Sequence, residues 1–409
     1  MTEAQARVQA AISKPEFIAL IAMMFATIAF SIDAMLPALP EIGHELSPDD
    51  LNKAQLVLTS FVLGMGIGTF FTGPLSDAFG RKSVMVAGSA LYILAAFVAW
   101  MSTTLEVVLI ARVVQGVAAA APRVVGVAVM RDLFVGREMA KMMSLAMMVF
   151  TVFPAVAPLI GAGIIAVSGW RGIFLAFILF AIIMVSWMSL RLPETLPPSG
   201  RTPFRAPRLV AAMREVLRHP VVRLSILVQS LCLGMLFTML SMVHQVYEVI
   251  FDRAASFPMW FAAIGLFSAT ASILNAALVE RVGMRAMVTW SLIAQAAISF
   301  AMLAYGQIVP SGPELFFLFV FWQTSLFFMA GTTIGNLNAI AMEPMGHIAG
   351  MAASIMGGLS TVIAAMIAAP IGLMFNGSLV PLALGIGLMS AVGFVAMLGL
   401  GRIENRAIV

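Results

Sequence analysis

Gly73-Pro74-Leu75-Ser76-Asp77-Ala78-Phe79-Gly80-Arg81-Lys82 separates two apolar runs, 54–75 and 83–102. Each run has the ~20 residues that a helix needs to cross a hydrocarbon core of ~30 Å. The ten residues 73–82, which overlap the end of the first run, are a hairpin corner. Gly73 and Gly80 permit a tight turn and close helix approach. Asp77 can cap a helix start or pair with a base across the corner. Arg81 and Lys82 hold the corner on the side of the membrane that keeps positive charge. A second stretch, Leu278-Val279-Glu280-Arg281-Val282-Gly283-Met284-Arg285, repeats acid, glycine and base in the same places. The two corners lie about half a chain apart, which predicts a duplicated architecture around a midplane site.

Outward from these corners, apolar runs of spanning length recur near 17–39, 106–129, 142–167 and 170–190 in the first half. In the second half they recur near 222–248, 257–279, 286–308, 315–341, 349–375 and 379–400. The chain of 409 residues is 61% hydrophobic and 10% charged. A soluble domain carries about 25% charged residues, and a globule of this size needs a polar shell. Lipid is therefore the solvent, and backbone groups in lipid must pair within each segment, so the runs are helices. No ten-residue alternation of a transmembrane barrel is present. Residues 1–15 are polar and do not read as a cleaved leader, so Phe17–Leu39 is expected to be retained as the first span.

Residues 191–221 are basic and rich in proline, and read as a linker between two six-helix halves. The expected division is 1–191, a cytoplasmic linker 192–220, and 221–409. Arg208–His219 can form a short amphipathic helix on the membrane surface. With both termini in the cytoplasm, only Lys53, Arg171 and Arg253 of the 23 lysines and arginines fall outside, and Arg112 and Arg123 fall within spans. The other eighteen, from Arg7 and Arg137 to Arg402 and Arg406, lie inside, as the positive-inside rule requires. The net charge of +4 is therefore topological and does not point to nucleic acid. The single cysteine, Cys232, excludes an intrachain disulfide and reads as packing.

Three motifs carry chemistry. The corner at 73–82 resembles the loop signature of the major facilitator superfamily, with Gly73, Asp77, Gly80, Arg81 and Lys82 as its cytoplasmic gating positions. Leu109-Ile110-Ala111-Arg112-Val113-Val114-Gln115-Gly116 places an arginine in an apolar helix, which costs about 3 kcal/mol unless it finds a cavity or a partner. Its Arg-x-x-Gln-Gly pattern resembles the fourth-span motif of proton-driven members. Phe153-Pro154-Ala155-Val156-Ala157-Pro158-Leu159-Ile160-Gly161-Ala162-Gly163 combines kinking prolines with small residues. It resembles the antiporter motif of exporters in Pro154, Pro158, Gly161 and Gly163, and departs from it where Phe153, Ala157 and Ala162 stand for glycine.

Further stretches narrow the resemblance: Ser31–Pro40, Val129–Phe134, Gly169–Phe174, Leu192-Pro193-Glu194-Thr195 and Asn338–Ser354. Together they look like the Bcr/CflA type of drug-resistance transporter. The resemblance implies an all-α membrane fold of twelve transmembrane helices in two pseudo-symmetric six-helix bundles. It also implies a monomer in a bacterial inner membrane, and proton-coupled multidrug efflux by alternating access.

Asp33 is the only acid firmly inside a span. An apolar medium penalises the charged form of a carboxyl, which suits Asp33 to carrying a proton. A structural hydrogen bond or a cap beside Pro37 is the plainer alternative. Asp33 and Arg112 both fall ~10 Å below the outer surface at 1.5 Å per residue. Arg112 is therefore expected to approach Asp33, directly or through water, as the proton-coupling pair. Arg123 lies three turns from Arg112 on almost the same face, where it could attract anionic or polar cargo, or snorkel to the cytoplasmic surface. Gln115, Met35, Gln229, Met235, Met239, Gln323 and Asn336 complete the candidate cavity, although polar groups also glue membrane helices and methionine is common on lipid-facing surfaces.

No nucleophile triad, metal cluster, phosphate loop or dinucleotide fingerprint is present. The sequence thus predicts no enzyme, no metal and no cofactor, with transport driven by the proton gradient. The leading expectation is a drug/proton antiporter exporting small amphipathic compounds such as antibiotics. A dedicated metabolite exporter or a proton-coupled importer of the same fold is the alternative. A sensor or scaffold would leave the buried charges without a purpose.

Overall fold

The structure, a computed structural model, describes residues 11–309 and 312–408, without the side chains of residues 137, 140, 148–152 and 404–408. Arg7 lies outside the described residues, as do the side chains of Arg137 and Arg406. All regular structure among the described residues is helical. The twelve spans are α1 (Lys14–Asp33), α2 (Leu56–Phe79), α3 (Arg81–Met101), α4 (Leu105–Leu133), α5 (Gly136–Ser168) and α6 (Arg171–Arg191), then α7 (Pro220–Gln245), α8 (Phe257–Val282), α9 (Met284–Ile308), α10 (Pro313–Met342), α11 (Ala349–Leu373) and α12 (Val380–Ile408).

Two boundaries differ from those the hydropathy predicts. The fourth and fifth spans continue through the polar residues 130–141, broken only at Phe134 and Val135. The 33 residues of α5 exceed what a bilayer needs, so its charged start projects beyond it as helix. The α-helix of the first span stops at Asp33, not at Leu39. Pro37 has no N–H to give the carbonyl of Asp33, and its ring crowds that carbonyl. A 3₁₀ turn over Leu36–Ala38 and a short helix, Leu39–Leu46, follow.

The halves pack by one plan. In the first, α1 lies against α5, α2 against α4, and α3 against α6; in the second, α7 lies against α11, α8 against α10, and α9 against α12. Across the halves, α5 meets α8 and α11 meets α2. Glycines set the closest of these approaches. A methyl group at Gly116 would stand 2.0 Å from the Phe61 carbonyl oxygen, and one at Gly64 2.0 Å from that of Val113, so α2 and α4 touch backbone to backbone. The linker forms a helix over Ala206–Arg218 with Pro207 in its first turn. Leu209, Ala212 and Val216 seat it on Val222, Ile226 and Ile355 of the second half.

The echo in sequence is an echo in backbone. Gly80 has φ 95° and ψ 155°, and Gly283 has φ 86° and ψ 145°. Only glycine adopts this region at ease, at a cost of about 1–3 kcal/mol for other residues. A Cβ at Gly80 would also lie 2.6 Å from a Glu194 oxygen, whereas nothing lies within 4 Å of one at Gly283. Gly80→Ala is therefore expected to lower the apparent melting temperature of the purified protein more than Gly283→Ala. Equal shifts would mean that Glu194 moves aside freely.

Candidate functional site

Arg112 is fully buried, and the approach of α2 to α4 at Gly116 brings it within reach of α2. Its Nε donates to the Val57 carbonyl at 3.1 Å, one Nη to Gln115 Oε1 at 2.8 Å, and the other to the Ser31 carbonyl of α1 at 2.8 Å. The guanidinium lies over the Phe61 ring at 4.3 Å. Ser31 Oγ in turn meets the hydroxyl of Tyr92 on α3 at 2.6 Å. The arginine thus ties α1, α2 and α4 together inside the first bundle, with its fork spread over three acceptors.

The expected direct contact between Arg112 and Asp33 does not form. Depth along the membrane matches, but direction around α1 does not. Asp33 follows Ser31 by two residues, which is about 200° around a helix. The face that meets Arg112 and Tyr92 is therefore turned away from Asp33. The Asp33 side chain is 5% exposed and meets no cation or hydrogen-bond donor among the described residues. Beside it, a Cβ on Gly161 would stand 2.2 Å from the Ala34 carbonyl oxygen, so the small residue of the 153–163 motif lets α5 close on α1 at the break. Pro154 and Pro158 lie within α5. Gly163 has no neighbour within 4 Å of a Cβ position.

The corner at 73–82, expected to face the cytoplasm, is a charge network. Arg81 bonds Asp77, Ser76 and Asp132, the last at the end of α4. Glu194 accepts from the backbone N–H groups of Arg81 at 3.0 Å and Lys82 at 3.1 Å, satisfying two otherwise orphan donors at the start of α3. Lys82 Nζ donates to the Ser189 carbonyl at the end of α6, and Thr195 Oγ1 to Asp132 at 2.9 Å. Gly73 lies close to Ser354 of α11. Asp132, Glu194 and Thr195 escaped the sequence reading as functional positions. Their signal was an acid within each of two stretches, 129–134 and 192–195, at helix ends.

The end of the bundle at Asn52, expected to face outward, is latched across the halves by neutral amides. Asn52 Nδ2 donates to the Phe375 carbonyl at 2.7 Å, and Gln245 Nε2 to Asn52 Oδ1 at 3.0 Å, while Gln55 Nε2 donates to Gln245 Oε1. Beside the latch, Leu39, Ala54, Gln55, His244, Gln245 and Glu248 line a partly open pocket of about 140 Å³. Asn52→Ala removes the hub of this latch. A cysteine introduced as Ala54→Cys in a Cys232→Ser background should then react with an impermeant thiol reagent from outside about fivefold faster, for a loss of ~1 kcal/mol. No acceleration would place the outer seal elsewhere.

Of the other candidates, most sit inside the bundles. Gln115, Met35, Met235, Met239 and Gln323 are fully buried, and Gln229 and Asn336 nearly so. Gln229 bonds Asn338 at 3.1 Å, Gln323 accepts from Tyr247 at 3.2 Å, and Asn336 bonds Asn275 at 2.7 Å. Met235 Sδ accepts from Ser390. Arg123 alone among these candidates is exposed.

The comparisons agree with this architecture. The sequence profile of the Major Facilitator Superfamily matches residues 19–369. The bicyclomycin resistance protein homolog of Haemophilus influenzae is 29% identical over 378 residues, covering 90% of this chain and 91% of that one. The multidrug resistance protein MdtL of Shewanella oneidensis is 28% identical over 330 residues, covering 80% and 81%. A partially occluded inward-open structure of the xylose transporter XylE from E. coli superimposes with a TM-score of 0.72 at 12% identity, over 94% of this chain and 96% of that one. Twelve spans in two matched halves, the corner at Gly80 with its echo at Gly283, and this profile agree: the chain is a multi-pass membrane protein that belongs to the major facilitator superfamily.

Proposed function

We propose that this chain is a drug/proton antiporter that exports small amphipathic compounds, antibiotics among them, across a bacterial inner membrane. The observation that carries the reading is Asp33, a buried carboxyl with no cation or donor beside it among the described residues, set at the break in α1. A carboxyl that no partner engages is free to take up a proton and give it back, and membrane carboxyls of this kind mark proton relays. The relatives named for bicyclomycin and multidrug resistance support the export of such compounds.

The mechanism follows from two closures. The amide latch seals the outer end while Arg123 remains accessible on the inner side of the bundle. Cargo enters from the cytoplasm, the latch yields, and Asp33 meets the outer medium and takes a proton as cargo leaves. Return to the sealed state carries that proton inward, so the gradient drives the cycle without a cofactor. Arg112 holds the frame of α1, α2 and α4 and is a positioning residue. The distribution of lysine and arginine supports cytoplasmic termini. The family resemblance makes a monomer the working unit of this proposal.

A dedicated metabolite transporter is the second reading, favoured by Phe153, Ala157 and Ala162 in the antiporter motif. A susceptibility panel in a pump-deficient bacterium separates the two. Resistance to several unrelated compounds, relative to cells with the empty vector, is the expected result. Resistance to none at verified membrane expression would overturn the drug reading.

A further inference from the structure

Arg123 is a membrane cation without a structural task. Eleven residues separate it from Arg112, so the two project within about 20° of one another around α4. Ile110 and Val107, 65% and 43% exposed, mark the lipid side of this helix. Arg123 stands about 140° away from Ile110, on the side turned inward. Its neighbours on that side are closed: Ala119 is fully buried, and a Cβ on Gly126 would touch Phe25 and Met24 of α1. Arg123 is nevertheless exposed. An exposed side chain on the face turned from lipid opens on the space enclosed by the helices. Asp132, at the inner corner, lies nine residues on, roughly 14 Å along the helix, which is farther than an arginine side chain extends.

No described residue balances this charge. Arg81 has Asp77 and Asp132, Arg171 has Glu45, Arg191 has Glu16, and Arg112 has two carbonyls and an amide. Arg123 has no hydrogen bond or ion pair among the described residues. Asp33 is too distant to serve, since the level of Arg112 and Ser31 is about 16 Å farther out along α4. An unpaired cation at this depth is expensive, and the expense has a purpose where a ligand supplies the counter-charge.

We infer that Arg123 is the recognition site for the anionic group of an amphipathic cargo, a carboxylate or sulfonate that enters from the cytoplasmic side. The guanidinium fork takes the planar or tripodal anion, while Phe25 and Met24, themselves buried, close the helix contact at Gly126 one turn away. This assignment rests on the transport reading and narrows it to a substrate class. It also separates cargo from proton in space: the anion binds at Arg123 and the proton at Asp33, so the two need not compete for one group.

The test uses fusidate, a carboxylate amphiphile, and chloramphenicol, a neutral one. Their gradient-driven uptake into inside-out vesicles is compared for the wild type, Arg123→Gln and Arg123→Lys. The ratio of fusidate to chloramphenicol rates should fall about tenfold in Arg123→Gln, the scale of one charge-assisted contact, and recover in large part in Arg123→Lys. The thermal melt of the purified protein is read alongside, with fusidate expected to raise it in the wild type and not in Arg123→Gln. Transport of chloramphenicol with an unchanged ratio would overturn the anion site and leave export standing. Transport of neither, with Arg123-dependent stabilisation by fusidate, would keep the site and remove the export reading. Neither a ratio change nor stabilisation that depends on Arg123 would overturn the inference outright.

Discussion

Asp33→Asn is expected to reduce proton-driven export in inside-out vesicles to the level of membranes that lack the protein. Cargo-dependent collapse of the pH gradient should vanish with it. The substitution is close to isosteric, and Asp33 has no cation or donor among the described residues to lose, so the fold is not put at risk. What disappears is the buried carboxyl at the break in α1, which can carry a proton. Normal membrane expression with normal gradient-driven flux would move the coupling to another group. Glu248, in the outer pocket, is then the first to substitute. A loss of expression would instead make Asp33 structural, and the melt of the purified variant distinguishes that case.

Arg112→Met is expected to cost about 3 kcal/mol, the scale of three charge-assisted hydrogen bonds discounted for a membrane interior. The apparent melting temperature should drop by about 3–4 °C. Arg112→Lys should be no better. An ammonium is a point donor; it cannot reach Val57, Gln115 and Ser31 from one position, nor lie flat over Phe61. It leaves a strongly hydrated charge under-bonded in a sealed core, where methionine leaves only apolar surface. Recovery of wild-type stability by lysine would show that charge, not the planar fork, is what the first bundle requires.

The fold was legible because lipid leaves so few choices. Runs of twenty apolar residues must be helices, and lysine and arginine must gather on one side. The corner at 73–82 and its echo at 278–285 disclosed the duplication, which the matching φ and ψ of Gly80 and Gly283 express in backbone. Arg112 and Asp33 show where sequence reading runs out. Residue counting fixes depth, since each residue adds a constant rise. It does not fix which way a helix is turned, because that depends on its neighbours. Two residues on α1 were enough to send Arg112 to the Ser31 carbonyl and leave Asp33 alone.

The inner network was hidden for a different reason. Arg81, Asp132 and Glu194 are scattered over more than a hundred residues and meet only when α3, α4 and the segment after α6 are folded. Hydropathy also mistook helix for loop over 130–133 and 136–141, because a helix that leaves the bilayer stays a helix while its residues turn polar. The polar residues of α7 and α10 were visible, but their pairing with one another, as in Gln229 with Asn338, was not.

The outer latch has an electrical consequence. Asn52, Gln55, Gln245 and the backbone carbonyl of Phe375 carry no net charge. Each unit charge moved through a potential of 100 mV is worth about 2.3 kcal/mol, and a neutral amide moves none. Unfastening the latch is therefore silent to voltage. The current carried in a cycle, and the part of the membrane potential that the protein can harvest, is set by the proton and the ionised cargo alone.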